Sequence, residues 1–490
     1  MFKLTYLDPS RRDLLKQLLA LGAVGAGGSV LTGHAQTSNE KIGPELTAAW
    51  RGDDRYGALR RASLWRTNIP ERYPDVIVQA TADQDVRAAL AFARDNDLQV
   101  VCRASGHSTA GAPLRNGGMM LYVTGLNRVE IDPESKTARV QSAASMATLF
   151  SEASRYRLDF PTADCTTVAL TGFILGGGIG RNCNYLAGGP VCKTLLSADV
   201  MLANGELVTV DENNYSDVYW TMRGCGPAFF GIVLNMTLRL FDAPGAYLSS
   251  NYNFALESLP WLLGFFDERQ PNHDPQVGIA LAIEPDENGS EELSVSVTLS
   301  AFADNGSDAV VEARSLLEYY VDEGLAAKAL TRSEFVPQDV ANYMFTRPPS
   351  IRTHTDNIYT DDSASLLAAI EHYKTRPAGL DVRLILTHNS QYHAPYGDDM
   401  CYSAAGHHFL SIYVNWTDNE LDTMAYEWTD GFSKIARPFR KSHYLNQIDT
   451  GVYPEKIRQS FSEKNWNLLA RLRKKHDPEN RFFTFVGHKQ

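Results

Sequence analysis

Between residues 73 and 240 the apolar positions switch repeatedly between the spacing of a strand and that of a helix. Asp75-Val76-Ile77-Val78-Gln79-Ala80 is a short apolar run of buried-strand type. Thr81 or Asp83 can cap a helix after it, and from Asp85 to Asn96 the residues Val86, Ala89, Leu90, Phe92 and Ala93 recur at helical spacing. Leu98 to Cys102 predicts the next strand. Gly117 to Val123, Val129 to Ile131 and Thr137 to Ser142 predict others, and Ser145 to Tyr156 a helix. Leu195 to Val210 reads as two strands around Asn204-Gly205, a strong hairpin signal. A helix from Asp217 stopped by Gly224 and Gly226, then a strand from Phe229 to Leu240, close this region.

The pattern changes at Ala243-Pro244-Gly245. Beyond it strands alternate, as in Glu292 to Ala301, which places Leu293, Val295, Val297 and Leu299 on one face. Helices are predicted over Asp308 to Glu323, Ser363 to Thr375, Asn419 to Ile435 and Lys464 to His476. No repeat or low-complexity stretch appears. Periodicity alone does not say where the tail after Tyr444 docks.

The amino terminus changes the picture of where the chain works. Ser10-Arg11-Arg12-Asp13-Leu14-Leu15-Lys16 is a twin-arginine signature, followed by a glycine-containing apolar run from Leu18 to Leu31 and a small-residue site at Gly33-His34-Ala35. The expectation is a signal peptide over residues 1–35 and export by the twin-arginine translocase to a bacterial periplasm or outside the cell. The run is too short and glycine-rich for a comfortable membrane-spanning helix. A net charge of −12 argues against a nucleic-acid partner. The six cysteines include no CxxC pair and no Cys/His zinc spacing, so neither a disulfide framework nor a metal is expected.

Two loops carry the candidate chemistry. Arg103-Ala104-Ser105-Gly106-His107-Ser108-Thr109-Ala110-Gly111 follows the Leu98 strand directly, and a strand feeding such small residues lets backbone N–H groups close on a pyrophosphate. Fifty-eight residues after His107, Cys165 opens a run containing Gly172, Gly176-Gly177-Gly178 and Gly180. Glycines at this spacing permit close backbone approach to a ligand. The imidazole of His107 and the thiol of Cys165 are nucleophiles able to bond a redox ring.

These loops, the Leu196–Val210 hairpin, the run from Arg223 to Val233 and the closing Asp477-Pro478-Glu479-Asn480 occur in order. Together they resemble the berberine bridge enzyme-like branch of the vanillyl-alcohol oxidase flavoproteins. The resemblance implies an α+β fold: a discontinuous, PCMH-type FAD-binding domain over residues 40–243 (subdomains 40–157 and 158–243), an inserted α+β substrate domain over 244–440, and a segment 441–490 that completes the flavin site. It further implies FAD bonded covalently to His107 at the 8-methyl carbon and to Cys165 at ring carbon 6. Ile232, Val233, Asn446 and Asn480 are expected beside the cofactor. Val168 would lie over flavin carbon 4a, where a small side chain leaves room for dioxygen.

The chain departs from the family on the substrate side. The family often carries Tyr-x-Asn-Tyr, its last tyrosine helping to remove a substrate proton; here the run is Tyr444-Leu445-Asn446-Gln447. An amide is no base near neutral pH, although it can hydrogen-bond an alcohol. Tyr444, Gln447, Tyr402 and His393 are therefore the catalytic candidates, with His388 and His407 as further candidate bases. Ala169 and Lys193 also differ from residues common in the family. The function implied is an oxidase acting on an alcohol or sugar hydroxyl, with dioxygen reduced to hydrogen peroxide; a secondary metabolite is the second substrate class. Two alternatives stay open: a dehydrogenase passing electrons to a quinone or other acceptor, and a non-catalytic binding protein that has lost its base.

Overall fold

The computed structural model describes residues 46–285, 292–304, 306–321, 323–333, 336–337, 351–388 and 399–487. The expected signal sequence and His393 lie outside them.

The first sheet has four strands in the order Thr47–Trp50, Val76–Gln79, Met119–Tyr122, Val100–Arg103. The last three run parallel. The helix Asp83–Asp95 buries Val86, Ala89, Leu90 and Ala93, the periodic positions, and makes the crossover between two of those strands. Its first turn is held by Asp85, whose carboxylate accepts the N–H groups of Thr81 and Ala82.

The second sheet has five antiparallel strands in the order Val129–Asp132, Thr137–Gln141, Gly231–Arg239, Leu195–Leu202, Leu207–Val210. The hairpin predicted at Asn204-Gly205 forms, with Gly205 at positive φ. Elsewhere element ends move by one to a few residues. The helix after Tyr215, for example, runs Ser216–Met222, and Glu323–Lys328 is a separate short helix instead of the end of Ala309–Glu318.

The third sheet is larger and wholly antiparallel, in the order Thr331–Arg332, Ala246–Ala255, Leu293–Ala303, Val277–Pro285, Asp381–His388, His408–Trp416, Arg352–Thr360. Leu293–Ala303 buries Val295, Val297, Leu299 and Ala301 on one face, as its alternation predicts. Full burial of each Val or Leu side chain stabilises by about 1.5–3 kcal/mol, so this strand is a spine of the second core. Helices Leu259–Arg269, Ala309–Glu318, Ala364–Tyr373 and Asp422–Ala436 supply the apolar residues that complete that core. His354 packs against Tyr426 of the last helix, so its neighbours Thr353 and Thr355 point to the opposite, helix-free face.

The C-terminal tail docks on the first sheet. Val100 donates its N–H to Arg481 O at 2.7 Å and accepts from Phe483 N–H at 3.1 Å, so the tail pairs with the edge strand. Asp477 of the Asp477-Pro478-Glu479-Asn480 turn makes this possible, because its carboxylate accepts the N–H groups of Arg481 and Phe482. The buried residues accordingly form two large clusters. One joins both N-terminal sheets to the tail, from Val76 through Leu240 to Phe485; the other lies between Ala246 and Ala436. No helix of the described residues is long and apolar enough to cross a membrane.

Candidate flavin site

A cavity of about 360 Å³ lies where the three sheets meet, within the size range of small-molecule sites. The loop from Ala104 to Ala110 forms one wall, the stretch Ala163 to Leu175 another, and Gly231, Ile232 and Val233 a third. Phe482, Phe483 and Phe485 of the docked tail close one end, and Thr353, Thr355, Tyr413 and Gln447 line the end under the large sheet.

His107 and Cys165 meet on this wall. Thr167 lies between them: its hydroxyl is 2.8 Å from His107 Nε2 and 3.5 Å from Cys165 Sγ. The imidazole also stacks on Trp65 at 5.4 Å, which fixes the plane of the ring. The two loops are locked to each other by Ser105, whose hydroxyl accepts the N–H of Ala169. All six cysteines are free thiols, so Cys165 has no disulfide partner.

Three observations test whether FAD fits. The N–H groups of Gly106, Ser108 and Thr109 take no part in backbone hydrogen bonding among the described residues, as a phosphate nest requires. Thr171 Oγ1, Thr450 Oγ1 and Gln447 Oε1 are buried on the cavity wall with no hydrogen-bond partner among the described residues, and such atoms cost about 1–3 kcal/mol each unless a ligand or water meets them. A Cβ on Gly172 would meet only open space, so that glycine faces the cavity. An elongated ligand with phosphates at the loop and hydrogen-bonding groups farther along satisfies all three, and the residues present suit FAD.

The expected site residues divide. Ala104, Ser105, Gly106, His107, Ser108, Cys165, Val168, Gly172, Ile232, Val233, Tyr444, Asn446 and Gln447 all line the cavity. Asn446 donates its amide to Phe173 O and to the Tyr444 hydroxyl, which ties the C-terminal turn to the Cys165 wall.

Others lie off the cavity wall. Gly176, Gly177, Gly178 and Gly180 are absent from the cavity wall. They let other parts of the protein close in: Asn446 on Gly176, the Tyr402 ring on Gly177, Phe173 on Gly178 and Pro161 O on Gly180. Arg103 turns back to donate to Ser63 O, Ala62 O and Ala104 O. Gly111 closes a turn onto Ser108 O, and Asn480 supplies the positive φ of the tail turn. Lys193 donates to Gly188 O and also stays off the cavity.

Tyr402 is no candidate base. It is buried between Gly177 and Gly224, with its hydroxyl 3.0 Å from that of Tyr359 and its N–H on Arg223 O. Gly177→Ala is therefore expected to destabilise by about 2–4 kcal/mol, from a Cβ at φ +98° and the clash with the Tyr402 ring. A lowered Tm with flavin still attached supports this packing role, whereas loss of flavin at unchanged Tm contradicts it. His388 and His407 also lie off the cavity.

Tyr444 lines the cavity, but its hydroxyl already accepts from Ile179 N–H and Asn446 Nδ2, and burial pushes its pKa up. It positions the wall and is poorly placed to take a proton.

Several wall residues carry no signal in the sequence. Tyr413 stands directly across from Thr355 in the strand register, so its ring joins the helix-free face. Arg66 is fully buried; it donates to Thr109 O at 2.8 Å and Thr353 O at 3.0 Å, clamping the His107 loop to the large sheet, 3.7 Å from Asp449. Asn357 holds the 444–447 turn on the same face through the carbonyls of Tyr444 and Gln447.

The comparisons agree with this geometry. Residues 74–211 match the FAD binding domain family. The uncharacterized FAD-linked oxidoreductase YgaK of Bacillus subtilis is 33% identical over 181 residues, which cover 36% of this chain and 40% of that protein. The FAD-linked oxidoreductase nodO of Hypoxylon pulicicidum is 22% identical over 86% of this chain and 92% of its own length. Among solved structures, 6-hydroxy-D-nicotine oxidase of Arthrobacter nicotinovorans has a TM-score of 0.77 at 18% identity, covering 92% of this chain and all of that one. BBE-like 1 of Physcomitrella patens gives 0.73 at 20%, covering 91% and 98%. Glucooligosaccharide oxidase of Acremonium strictum, which carries a 6-S-cysteinyl, 8α-N1-histidyl FAD, gives 0.75 at 17%, covering 90% and 96%. Residues 74–211 thus match an FAD binding domain, and the chain shares the fold of the berberine bridge enzyme-like structures.

Proposed function

We propose that this protein is an FAD-dependent oxidase, with the flavin bonded to both His107 and Cys165, that oxidises an alcohol or sugar hydroxyl and reduces dioxygen to hydrogen peroxide. The observation that carries this reading is the meeting of His107 and Cys165 on one cavity wall around Thr167. The flavin, when bound, supplies the hydride acceptor and the site of reoxidation. The glucooligosaccharide oxidase comparison, with its histidyl and cysteinyl links, supports the double tether and the substrate class.

The chain's own residues do the rest. His107 and Cys165 anchor the cofactor, and the loop N–H groups bind its phosphates. Gln447 Oε1, buried and unpartnered among the described residues, is an acceptor for a hydroxyl donor. Tyr413 presents a phenol from the large sheet to the cavity and is the group we assign to accept the substrate proton. Val168, on the wall beside Cys165, leaves space for dioxygen. Export by the twin-arginine route to the periplasm or beyond belongs to the same proposal and rests on Arg11-Arg12.

Turnover of a panel of sugars and alcohols with peroxide as the readout tests the reading. Stoichiometric peroxide and fast reoxidation of the reduced protein by oxygen are expected. Flavin reduction by substrate with slow reoxidation points to the dehydrogenase, and no reduction by any member of the panel to a binding protein.

A further inference from the structure

On the helix-covered face of the large sheet, across from the flavin cavity, His388 and His408 form a directly opposed pair on neighbouring strands. His408 is five residues before Tyr413 on one continuous strand, so the two side chains leave opposite faces. Asp267, in the last turn of the helix Leu259–Arg269, reaches this pair from above. One ligand atom from each of the three residues lies within 4.8 Å of the others.

We propose that Asp267, His388 and His408 form a divalent-metal site of the Zn²⁺ class that pins this helix to the sheet. The donor set, two imidazoles and a carboxylate, suits that ion, with water in the fourth position.

The polar inventory supports it. Both ring nitrogens of His388 and Nδ1 of His408 have no hydrogen-bond partner among the described residues, although the two residues are only 4% and 2% exposed. A buried imidazole without a partner for either nitrogen is costly unless something else meets it. His408 Nε2 lies 3.5 Å from Asp267 Oδ1. Two ligands about 2.0–2.1 Å from a tetrahedral zinc are separated by about 3.4 Å, so this pair is already spaced for coordination. His388, within 4.8 Å of the other two ligand atoms, needs to close by at most about 1.4 Å, within the reach of a side-chain rotation. Ser363 Oγ donates to Asp267 Oδ2 at 2.5 Å, orienting the carboxylate from behind as outer partners of metal ligands do. The histidines are 20 residues apart in the chain, and only strand register brings them together, which is why no ligand spacing shows in the sequence.

The test is a calorimetric titration of the metal-stripped, flavin-loaded protein with Zn²⁺ alone. One equivalent is expected to bind to the wild type. His408→Asn and Asp267→Asn are each expected to weaken that binding at least about tenfold. Asp267→Asn is isosteric on a partly exposed helix end and keeps the Ser363 hydrogen bond, so it tests the site even if the histidine variant misfolds. Absence of binding to the wild type overturns the proposal, as does binding of unchanged affinity to a folded Asp267→Asn.

Discussion

The double variant His107→Ala, Cys165→Ala is expected to lose all its flavin to the supernatant on acid precipitation, while each single variant keeps it in the pellet. The geometry supports this asymmetry. The two nucleophiles belong to different loops, one after the strand Val100–Arg103 and one before the helix Leu170–Leu175, and each loop is held independently of the other nucleophile. Arg66 clamps the His107 loop through Thr109 O, and the Cys165 loop is held through Ala169 N–H on Ser105 Oγ. Removing one side chain therefore leaves the other in place, bonded through its own atom. The single variants should each show flavin mass on one peptide only. A single variant that already releases all its flavin contradicts two independent links.

The second large effect is on the chemical step. Tyr413→Phe is expected to slow flavin reduction by substrate about 10²-fold or more, since a positioned proton acceptor contributes about 10²–10⁴. Thr355→Val, which alters the residue opposite it in the register, should change the rate far less. Stopped-flow reduction across a series of substrate concentrations separates a base from a packing residue: the Phe variant should keep the wild-type half-saturating concentration and lose limiting rate. An unchanged limiting rate in the Phe variant would remove Tyr413 from the reaction and return the proton to water or substrate.

How much of this was legible in the chain differs from residue to residue. His107, Cys165, Gly172 and the loop from Ala104 to Ser108 were readable because each sits in a local run whose chemistry is self-contained. Gly176 to Gly178 were equally conspicuous, yet what a glycine accommodates depends on what arrives from elsewhere. Here Asn446, Tyr402 and Phe173 arrive from distant or folded-back positions. Tyr413, Thr353 and Thr355 were hidden for another reason. The strands Arg352–Thr360 and His408–Trp416 are buried on both faces over most of their length, so no alternation of apolar and polar positions marks the face that meets the cavity. Gln447 stands out in the sequence as a departure from the family, and the structure adds an oxygen that is buried and unpartnered among the described residues. The docking of the tail could not be read from periodicity, because it rests on backbone pairing at Val100 and on the turn built by Asp477.

The measurement that bears most directly on the double tether is the fate of the flavin in the wild-type protein, followed by acid precipitation, protease digestion and mass spectrometry. The expected result is a yellow pellet and one flavin joining the peptide that bears His107 to the peptide that bears Cys165. Flavin free in the supernatant, with both peptides at their unmodified masses, would contradict the two covalent links on which the proposed oxidase rests.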